Sequence, residues 1–370
     1  MRPAQVDRLN FLCIAGICVL ASACDVSRGR PVPVGRALRA YTDSTRTDWS
    51  GRGPRPLAAT VWYPAAKGSR ESDWRIGVFN FGSGALDAPF ADGVRRPLVL
   101  LSHGTGGSAA QLSWLAEGLV AGGFIVAAVN HHGNTAAEER YMPHGFVLPW
   151  ERARDLSVLL DRLARDAAIG PHLDTTRVGA AGFSLGGYTV LALAGARYPF
   201  ADWRRRCAAM PAAPGCVLPP EAPFTLLALD SLARTDGPFQ ASLARGELPT
   251  LDARIRAVFA MAPALVPALD TASLQAIQVP VRVVLGSADA QVPPGPTAAV
   301  LVRFIPGAVV ETLPGVVHYA FLAPCTLRGR LFVRALCADG STDRGVLHDT
   351  VVHQAVEFFR QRLVANRVIE

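Results

Sequence analysis

Three polar residues in this sequence, Ser184, Asp289 and His318, have the types needed for nucleophilic catalysis. A serine hydroxyl attacks efficiently only when a base accepts its proton, an acid orients that base and hydrogen-bond donors stabilise the oxyanion that forms. The sequence offers a serine, an acid and a base, in a chain order known for such triads. These residues predict acyl transfer to water, provided that the fold brings them together.

The candidate nucleophile lies in GFSLGG at 182–187, which fits the pattern G-x-S-x-G. An apolar run at 178–181 predicts a buried strand before it, and residues 188–194 predict a helix after it. A serine at the tip of so tight a turn requires flanking residues without bulk, which explains the glycines. The alternative is a glycine-rich strand-to-helix turn with an incidental serine. The strand and helix on either side favour the nucleophile.

The candidate acid and base each follow a predicted strand. In a doubly wound sheet, catalytic groups come from loops at the carboxyl ends of strands. Asp289 follows the run 279–285, and His318 follows the run 308–313. Asp289 could instead cap a helix, and two rival acids, Asp230 and Asp270, lie in less regular segments.

A glycine-rich turn, HGTGG at 103–107, follows the predicted strand at 97–102. We expect the backbone N–H groups of Thr105 and Leu185 to form an oxyanion hole there. The alternative is an ordinary strand-to-helix turn. The remaining histidines are interpreted as structural residues: His103, His131, His132, His144, His172, His348 and His353.

Buried strands and helices alternate from residue 97 onward. The alternation indicates an α/β fold, with a mostly parallel central sheet and helices on both faces. Two earlier apolar segments predict a pair of antiparallel strands at the start of the domain, joined by a polar loop at 43–56. Residues 74–81 predict a further short strand. The predicted strands are 36–42, 58–63, 97–102, 124–129, 178–181, 255–261, 279–285 and 308–313, and the predicted helices are 109–121, 150–168, 188–194 and 349–364.

One long insertion interrupts this alternation, at about 198–253. So long an interval between a helix and the next strand is usually functional or structured in itself. We therefore expect an inserted cap over the site.

The N-terminus resembles an export signal. Two arginines precede an apolar stretch at 11–23, too short to span a membrane comfortably, and Ala21-Ser22-Ala23 forms an A-x-A cleavage site. Cys24 follows directly, as in a bacterial lipoprotein signal, so the alternatives are simple secretion and lipid anchoring through Cys24. We expect a signal peptide at 1–24, a tether at 25–34 and one domain at 35–370, located in the periplasm or outside the cell.

Cysteine spacing and charge constrain the class of protein further. Four cysteines of the predicted domain form two close couples, Cys207 with Cys216 and Cys325 with Cys337, which predict two local disulfides. The alternative is four buried thiols, and the spacing disfavours a zinc site.

The net charge is +7, but Lys67 is the only lysine and the arginines are scattered. Nucleic-acid binding is not expected.

Seven segments of the chain carry a family resemblance: VWYPA at 61–65, LLSHGTGG at 100–107, NHHGNT at 130–135, WERARDLSVLLDRL at 150–163, GFSLGG at 182–187, GSAD at 286–289 and VVHYAFLAPC at 316–325. In these segments the chain resembles α/β-hydrolases of the bacterial group related to dienelactone hydrolases and secreted platelet-activating-factor acetylhydrolases. The resemblance implies an α/β-hydrolase fold, a serine esterase activity and a triad of Ser184, Asp289 and His318. Dienelactone hydrolases carry a cysteine nucleophile, which this chain replaces with serine.

The expected protein is an exported serine hydrolase that cleaves a small-molecule or lipid carboxylic ester through an acyl-enzyme. This mechanism needs no metal or organic cofactor. Four alternatives stay open: a lipid esterase like phospholipase A2 or platelet-activating-factor acetylhydrolase, a polyester hydrolase, a peptide hydrolase and a non-catalytic surface binding protein. Membrane attachment would come through a lipidated Cys24.

Overall fold

The computed structural model describes residues 32–210 and 226–364, together with positions 216, 222 and 224. The expected signal peptide at 1–24, including Cys24, lies outside the described residues, as does most of the expected tether. The first strand begins at Val34, the last residue of that tether. Within the described ranges, no helix is long and apolar enough to cross a membrane.

The described residues form a ten-stranded mixed sheet. Its strand order is β10-β9-β8-β7-β5-β6-β2-β1-β4-β3, and the six strands from β10 to β6 are parallel. The predicted antiparallel opening pair is β1 with β2, and β2 also pairs antiparallel with β6. The strands are β1 (Val34–Thr47), β2 (Pro54–Pro64), β3 (Ser72–Ile76), β4 (Phe79–Leu86), β5 (Arg96–Ser102), β6 (Ile125–Asn130), β7 (Leu173–Phe183), β8 (Ile255–Met261), β9 (Val281–Gly286) and β10 (Val309–Leu313).

Helices cover both faces of this sheet and give it two cores. Side chains alternate in direction along a strand, so Leu98 and Leu100 of β5 enter one core cluster, whereas Val99 and Leu101 enter the other. The helices are α1 (Ser113–Ala121), α2 (Pro143–Val147), α3 (Trp150–Arg165), α4 (Leu185–Leu193), α5 (Phe200–Ala209), α6 (Leu226–Thr235), α7 (Gly237–Arg245), α8 (Thr271–Gln275), α9 (Pro294–Phe304), α10 (Leu327–Phe332), α11 (Arg334–Cys337) and α12 (Arg344–Phe359). Helices α3 and α4 pack in the first cluster and α1 and α12 in the second. The predicted α/β architecture is confirmed.

Several elements differ from their predicted bounds, and three of these differences change a predicted loop, a predicted strand or the start of a predicted helix. Strand β1 continues to Thr47, which shortens the loop expected at 43–56. The strand expected at 74–81 is instead the hairpin of β3 and β4, because Gly77, with φ of 59°, allows a tight turn there. The last helix begins earlier, at Arg344, because the Asp343 side chain accepts the N–H groups of Gly345 and Val346 and caps it.

The interval expected to form a cap contains α5, α6 and α7. Their apolar side chains, including Trp203, Leu229 and Phe239, belong to the core cluster that also contains side chains of α3 and α4. Helix α7 is also held by polar contacts, since Trp150 Nε1 donates to Ser242 O and the Ser242 hydroxyl donates to Glu151 Oε1 at 2.6 Å. This part of the chain is therefore anchored to α3.

Candidate active site

Ser184 lies at the junction of β7 and α4 in a strained backbone conformation. Its φ is 56° and its ψ is −119°, values that a residue with a side chain rarely adopts. Hydrogen bonds fix the turn, because Ser184 N–H donates to Met261 O at 2.9 Å and Ser184 O accepts from Ala264 N–H at 3.0 Å. The neighbouring strand β8 thus holds the serine at the carboxyl edge of the sheet.

The glycines around Ser184 are required by close backbone approach. A Cβ atom on Gly186 would collide with the carbonyl of Ser102, and one on Gly182 would collide with the carbonyl of Gly186. A Cβ atom on Gly187 would lie 2.7 Å from Cα of Pro263. The G-x-S-x-G-G spacing therefore reflects the packing of α4 against the ends of β5 and β8.

Ser184, His318 and Asp289 form one chain of hydrogen bonds. His318 Nε2 lies 3.0 Å from Ser184 Oγ, and His318 Nδ1 lies 2.7 Å from Asp289 Oδ2. Because a carboxylate only accepts, Nδ1 carries the proton that faces Asp289, and Nε2 presents its lone pair to the hydroxyl. Asp289 Oδ1 also accepts the N–H groups of Gln291 and Val292, which orients the carboxylate. Asp289 lies on the loop after β9, and His318 lies on the turn after β10.

The two rival acids have other partners. Asp270 caps α8 by accepting from Ala272 and Ser273 N–H, and Asp230 pairs with Arg204 at 2.9 Å on the surface. Neither carboxylate is hydrogen-bonded to His318. The geometry therefore favours Asp289 as the partner of the imidazole.

The glycine turn after β5 faces the same cavity as Ser184. Thr105 and Leu185 both line that cavity. Leu185 is the first residue of α4, so its N–H has no acceptor within the helix. The turn itself is fixed from the segment after β6: Gly106 N–H donates to Asn134 Oδ1 and Tyr141 Oη donates to Gly106 O at 2.8 Å. Sequence reasoning assigned no role to Asn134 or Tyr141.

A buried polar network lies directly behind the turn. His131 Nδ1 contacts Asp155 Oδ2 at 3.0 Å, and His131 Nε2 contacts Ser102 Oγ at 2.9 Å. Arg55 and Arg46 also bind Asp155, at 2.7 and 2.8 Å. The arginines hold the pKa of Asp155 well below its ordinary value despite burial, so the carboxylate stays charged and accepts the Nδ1–H of His131.

The two histidines of this network are neutral. Burial, reinforced by the charge of Arg152, lowers the pKa of His103 and of His131 far below the ordinary value for histidine. His103 Nε2 accepts His131 N–H, so the proton of His103 resides on Nδ1 and is donated to Gly104 O at 2.7 Å. His103 therefore stabilises the first peptide of the glycine turn, which agrees with its structural interpretation.

The cavity in front of Ser184 has a volume of about 800 Å³. Its wall is mostly apolar and includes Tyr198, Phe200 and Trp203 from the insertion, with the rings of Phe200 and Trp203 stacked at 5.4 Å. Cavities of this size enclose small organic ligands. A larger groove of about 1120 Å³ opens at the amino ends of β5 and β7, and no residue of the triad lines it.

Both expected disulfides are present. Cys207 of α5 bonds to Cys216, and Cys325, just after the turn that carries His318, bonds to Cys337 of α11. Among the residues that the structure describes, no group of three or more histidine, cysteine, aspartate or glutamate side chains could hold a metal ion.

The fold agrees with the comparisons with known proteins. A ferulic acid esterase from Streptomyces cinnamoneus superposes with a TM-score of 0.58 at 18% identity, covering 90% of this chain and 91% of that one. The likeness shows that the chain has the fold of α/β-hydrolases. Residues 80–145 match the family model described as platelet-activating factor acetylhydrolase, isoform II.

Curated relatives cover a smaller part of the chain. Over 152 residues, it is 32% identical to Cutinase 2 of Thermobifida cellulosilytica and 32% identical to Cutinase cut1 of Thermobifida fusca. The matched part is 40% of this chain and 53% and 43% of the two cutinases. The chain thus spans about half the length of the curated relatives that it matches.

Proposed function

We propose that this protein is a serine hydrolase that cleaves carboxylic esters through an acyl-enzyme. The observation that carries the proposal is the continuous chain of hydrogen bonds from Ser184 Oγ through His318 to Asp289. The comparisons with cutinases, with a ferulic acid esterase and with the platelet-activating factor acetylhydrolase family support an ester as the bond cleaved.

In the first step, Ser184 Oγ attacks the ester carbonyl carbon while His318 Nε2 takes the hydroxyl proton. The carbonyl oxygen becomes an oxyanion, which the N–H groups of Thr105 and Leu185 stabilise. Asp289 holds the imidazole and stabilises its positive charge. The tetrahedral intermediate then expels the alcohol, which takes the proton from Nε2, and an ester of Ser184 remains.

In the second step, water attacks the acyl-enzyme by the same path. His318 removes a proton from the water, the second oxyanion occupies the same hole, and Ser184 leaves with the proton from Nε2. The carboxylic acid is released and the resting state returns.

We further propose that the substrate is an ester with an apolar acyl or alcohol group. The mostly apolar wall of the cavity supports this, because burying apolar surface there contributes roughly 25 cal/mol per Å² of that surface. Lipid, polyester and peptide substrates are the competing classes.

Export is part of the proposal. Disulfides form and persist in oxidising compartments, so the two disulfides support a periplasmic or extracellular location for a chain whose residues 1–24 act as a signal. Cleavage of this signal directly after Ala23, at the A-x-A site, would make Cys24 the first mature residue. The mass of the mature N-terminal peptide separates a free Cys24 from a diacylglyceryl-modified one.

A graded panel of substrates tests the activity. Esters of one chromogenic alcohol with acyl chains of increasing length, a phospholipid, a polyester film and a peptide amide are compared in wild type and in Ser184→Ala. We expect hydrolysis of the small esters by wild type and a loss on the order of 10³-fold or more in the variant. Full activity in Ser184→Ala, or turnover of the peptide amide alone, would refute the proposal.

A further inference from the structure

Arg152 contacts both halves of the proposed oxyanion hole from behind. Its Nη2 donates to the carbonyl of His103, the first residue of the glycine turn. Its Nε donates to Thr189 Oγ1 at 3.2 Å, and the Thr189 hydroxyl donates to Leu185 O at 2.8 Å. One guanidinium therefore connects the turn that carries Thr105 to the first turn of α4.

The position of Arg152 makes these contacts rigid. The side chain is 1% exposed, and Thr189 is fully buried. A guanidinium is planar, and its donors point in fixed directions, so its two contacts set the distance between the two peptide segments. A lysine ammonium is a single point charge and cannot span both acceptors.

The polar network behind the turn supplies a further partner to Arg152 Nη2, whereas the buried Nη1 has no hydrogen-bond partner among the residues that the structure describes. Ser102 Oγ accepts from Arg152 Nη2 at 3.4 Å and donates to the neutral His131, which in turn donates to Asp155. Ser102, His131 and Asp155 have the residue types of a triad, but all are at most 1% exposed, so no substrate reaches them. The negative charge of Asp155 stabilises the charged guanidinium of Arg152, whereas the positive charge of Arg55 destabilises it. Burial lowers the pKa of Arg152 to about 9, which leaves it cationic at neutral pH.

We infer that Arg152 is a positioning residue for the oxyanion hole, which it holds through His103 O on one side and Thr189 and Leu185 on the other. The inference rests on the proposed esterase function. Its consequence is that losing Arg152 weakens stabilisation of the oxyanion more than binding of the substrate. A displacement of about 1 Å in a catalytic group can cost about 10²-fold in rate.

A pair of matched substrates provides a readout that folding stability does not move. The sulfur of a thionoester is larger than a carbonyl oxygen and a weaker hydrogen-bond acceptor. An intact oxyanion hole therefore favours the oxoester over its thionoester, and a distorted hole discriminates less. The ratio of kcat/KM for the two substrates reports on the hole itself.

The test uses Arg152→Ala and the more conservative Thr189→Val, which removes the hydrogen bonds of the Thr189 hydroxyl with Arg152 and Leu185 and keeps the contact of Arg152 with His103 O. For Arg152→Ala we expect kcat to fall about 10²-fold with KM within a few-fold, a smaller oxoester-to-thionoester ratio and partial recovery with dilute guanidinium. Thr189→Val should change kcat and the ratio in the same direction by about tenfold. If Arg152→Ala does not fold, the kcat and the substrate ratio of Thr189→Val alone test the inference.

Arg46→Met serves as the control, because Arg46 belongs to the same buried charge network but contacts neither His103 nor Thr189. It should lower the melting temperature and keep the ratio of wild type. An unchanged ratio in Thr189→Val and in folded Arg152→Ala, or an equal fall in Arg46→Met, would overturn the inference. Full activity in Ser184→Ala would instead refute the proposed function.

Discussion

At the residue scale, Ser184 combines backbone strain with a fully organised hydrogen-bond environment. Its positive φ presents the hydroxyl to the cavity, and the carbonyl and N–H of its own peptide groups are bound by β8 and the following loop. Residues in such conformations cost about 1–3 kcal/mol each and persist because their surroundings fix them. The strain is consistent with a functional position for the serine.

Asp289→Asn tests the orienting acid. The amide would favour the wrong imidazole tautomer, so we expect kcat to fall about 10³- to 10⁴-fold with little change in KM. Steady-state kinetics on a short-chain ester measures both constants. Asp270→Asn and Asp230→Asn are the matched controls, and a comparable loss in either would move the acid away from Asp289.

The sequence motifs predicted which side chains would lie together in the candidate site, but not which buried residues hold that site in place. G-x-S-x-G and strand-end placement directed attention to Ser184, Asp289 and His318, whose roles stay predictions until they are tested. Arg152 and Asp155 received no role, although they share the helical stripe of Leu156, Leu159 and Leu163. Two charged residues on the apolar face of a helix indicate a buried polar network. Asn134 and Tyr141 carried no such sign.

At the element scale, the insertion is bound to α3 through α7 and cross-linked within itself by a disulfide. Helix α7 is bound to α3 through Ser242 and through Arg245, which lies 2.9 Å from Glu151 Oε1. Helix α5 is held through the disulfide of Cys207 and contributes Phe200 and Trp203 to the cavity. The insertion therefore shapes the site without supplying a residue of the triad.

Removing the disulfide of the insertion should change substrate preference more than turnover. In Cys207→Ser with Cys216→Ser, α5 loses a covalent restraint, so we expect the ratio of kcat/KM between long and short acyl esters to shift by several-fold. The kcat for an acetate ester should stay within a few-fold of wild type. Phe200→Ala, which removes the wall and keeps the disulfide, should shift the ratio in the same direction. An unaltered acyl profile in both variants would contradict this role for the insertion.

The disulfide between Cys325 and Cys337 should contribute more to stability than to catalysis. It closes a loop with a sequence separation of 12 just after His318, and the chain-entropy model assigns such a loop roughly 3 kcal/mol. Backbone bonds also hold this segment, since Asn80 N–H donates to Pro324 O and Thr326 N–H donates to Val78 O. We expect Cys325→Ser with Cys337→Ser to lower the melting temperature by several degrees, and kcat by less than tenfold. A kcat loss without a stability loss would contradict this account.

Most strands and helices were predictable, because buried parallel strands are continuous apolar runs. The misplaced elements were those set by single residues or by distant pairing. Gly77 turns a predicted strand into a hairpin, and the Asp343 cap starts α12 five residues early. The helices of the insertion depend on packing against α3, which local periodicity does not reveal.

At the scale of the whole molecule, both cores contain neutral histidines. His103 and His131 lie behind the glycine turn, and His348 stacks on Trp114 at 3.8 Å on the other face of the sheet. Burial lowers the pKa of His348 to about 3, whereas an unfolded histidine has a pKa of about 6.5. The unfolded chain therefore binds more protons than the folded one between these values, and stability falls as the pH drops below about 6.5.

Urea unfolding from pH 7.5 to 4.5 tests this dependence. We expect the free energy of unfolding to decrease with acidification, and His348→Phe, which keeps a ring against Trp114, to reduce the slope by about 1.4 kcal/mol per pH unit. The lowered pKa of Asp155 acts at lower pH, below about 4. His353→Gln removes an exposed histidine from the same helix as a control. Stability that is constant across this range would show that the buried histidines titrate normally.

Labelling by a fluorophosphonate tests the central claim most directly, because the probe reacts with a serine only when a base activates it. Wild type should gain one adduct, located at Ser184 by peptide mass spectrometry. His318→Ala should label at least about 10²-fold more slowly, and Ser184→Ala should not label. An adduct on another serine, or labelling of wild type no faster than of His318→Ala, would contradict the account.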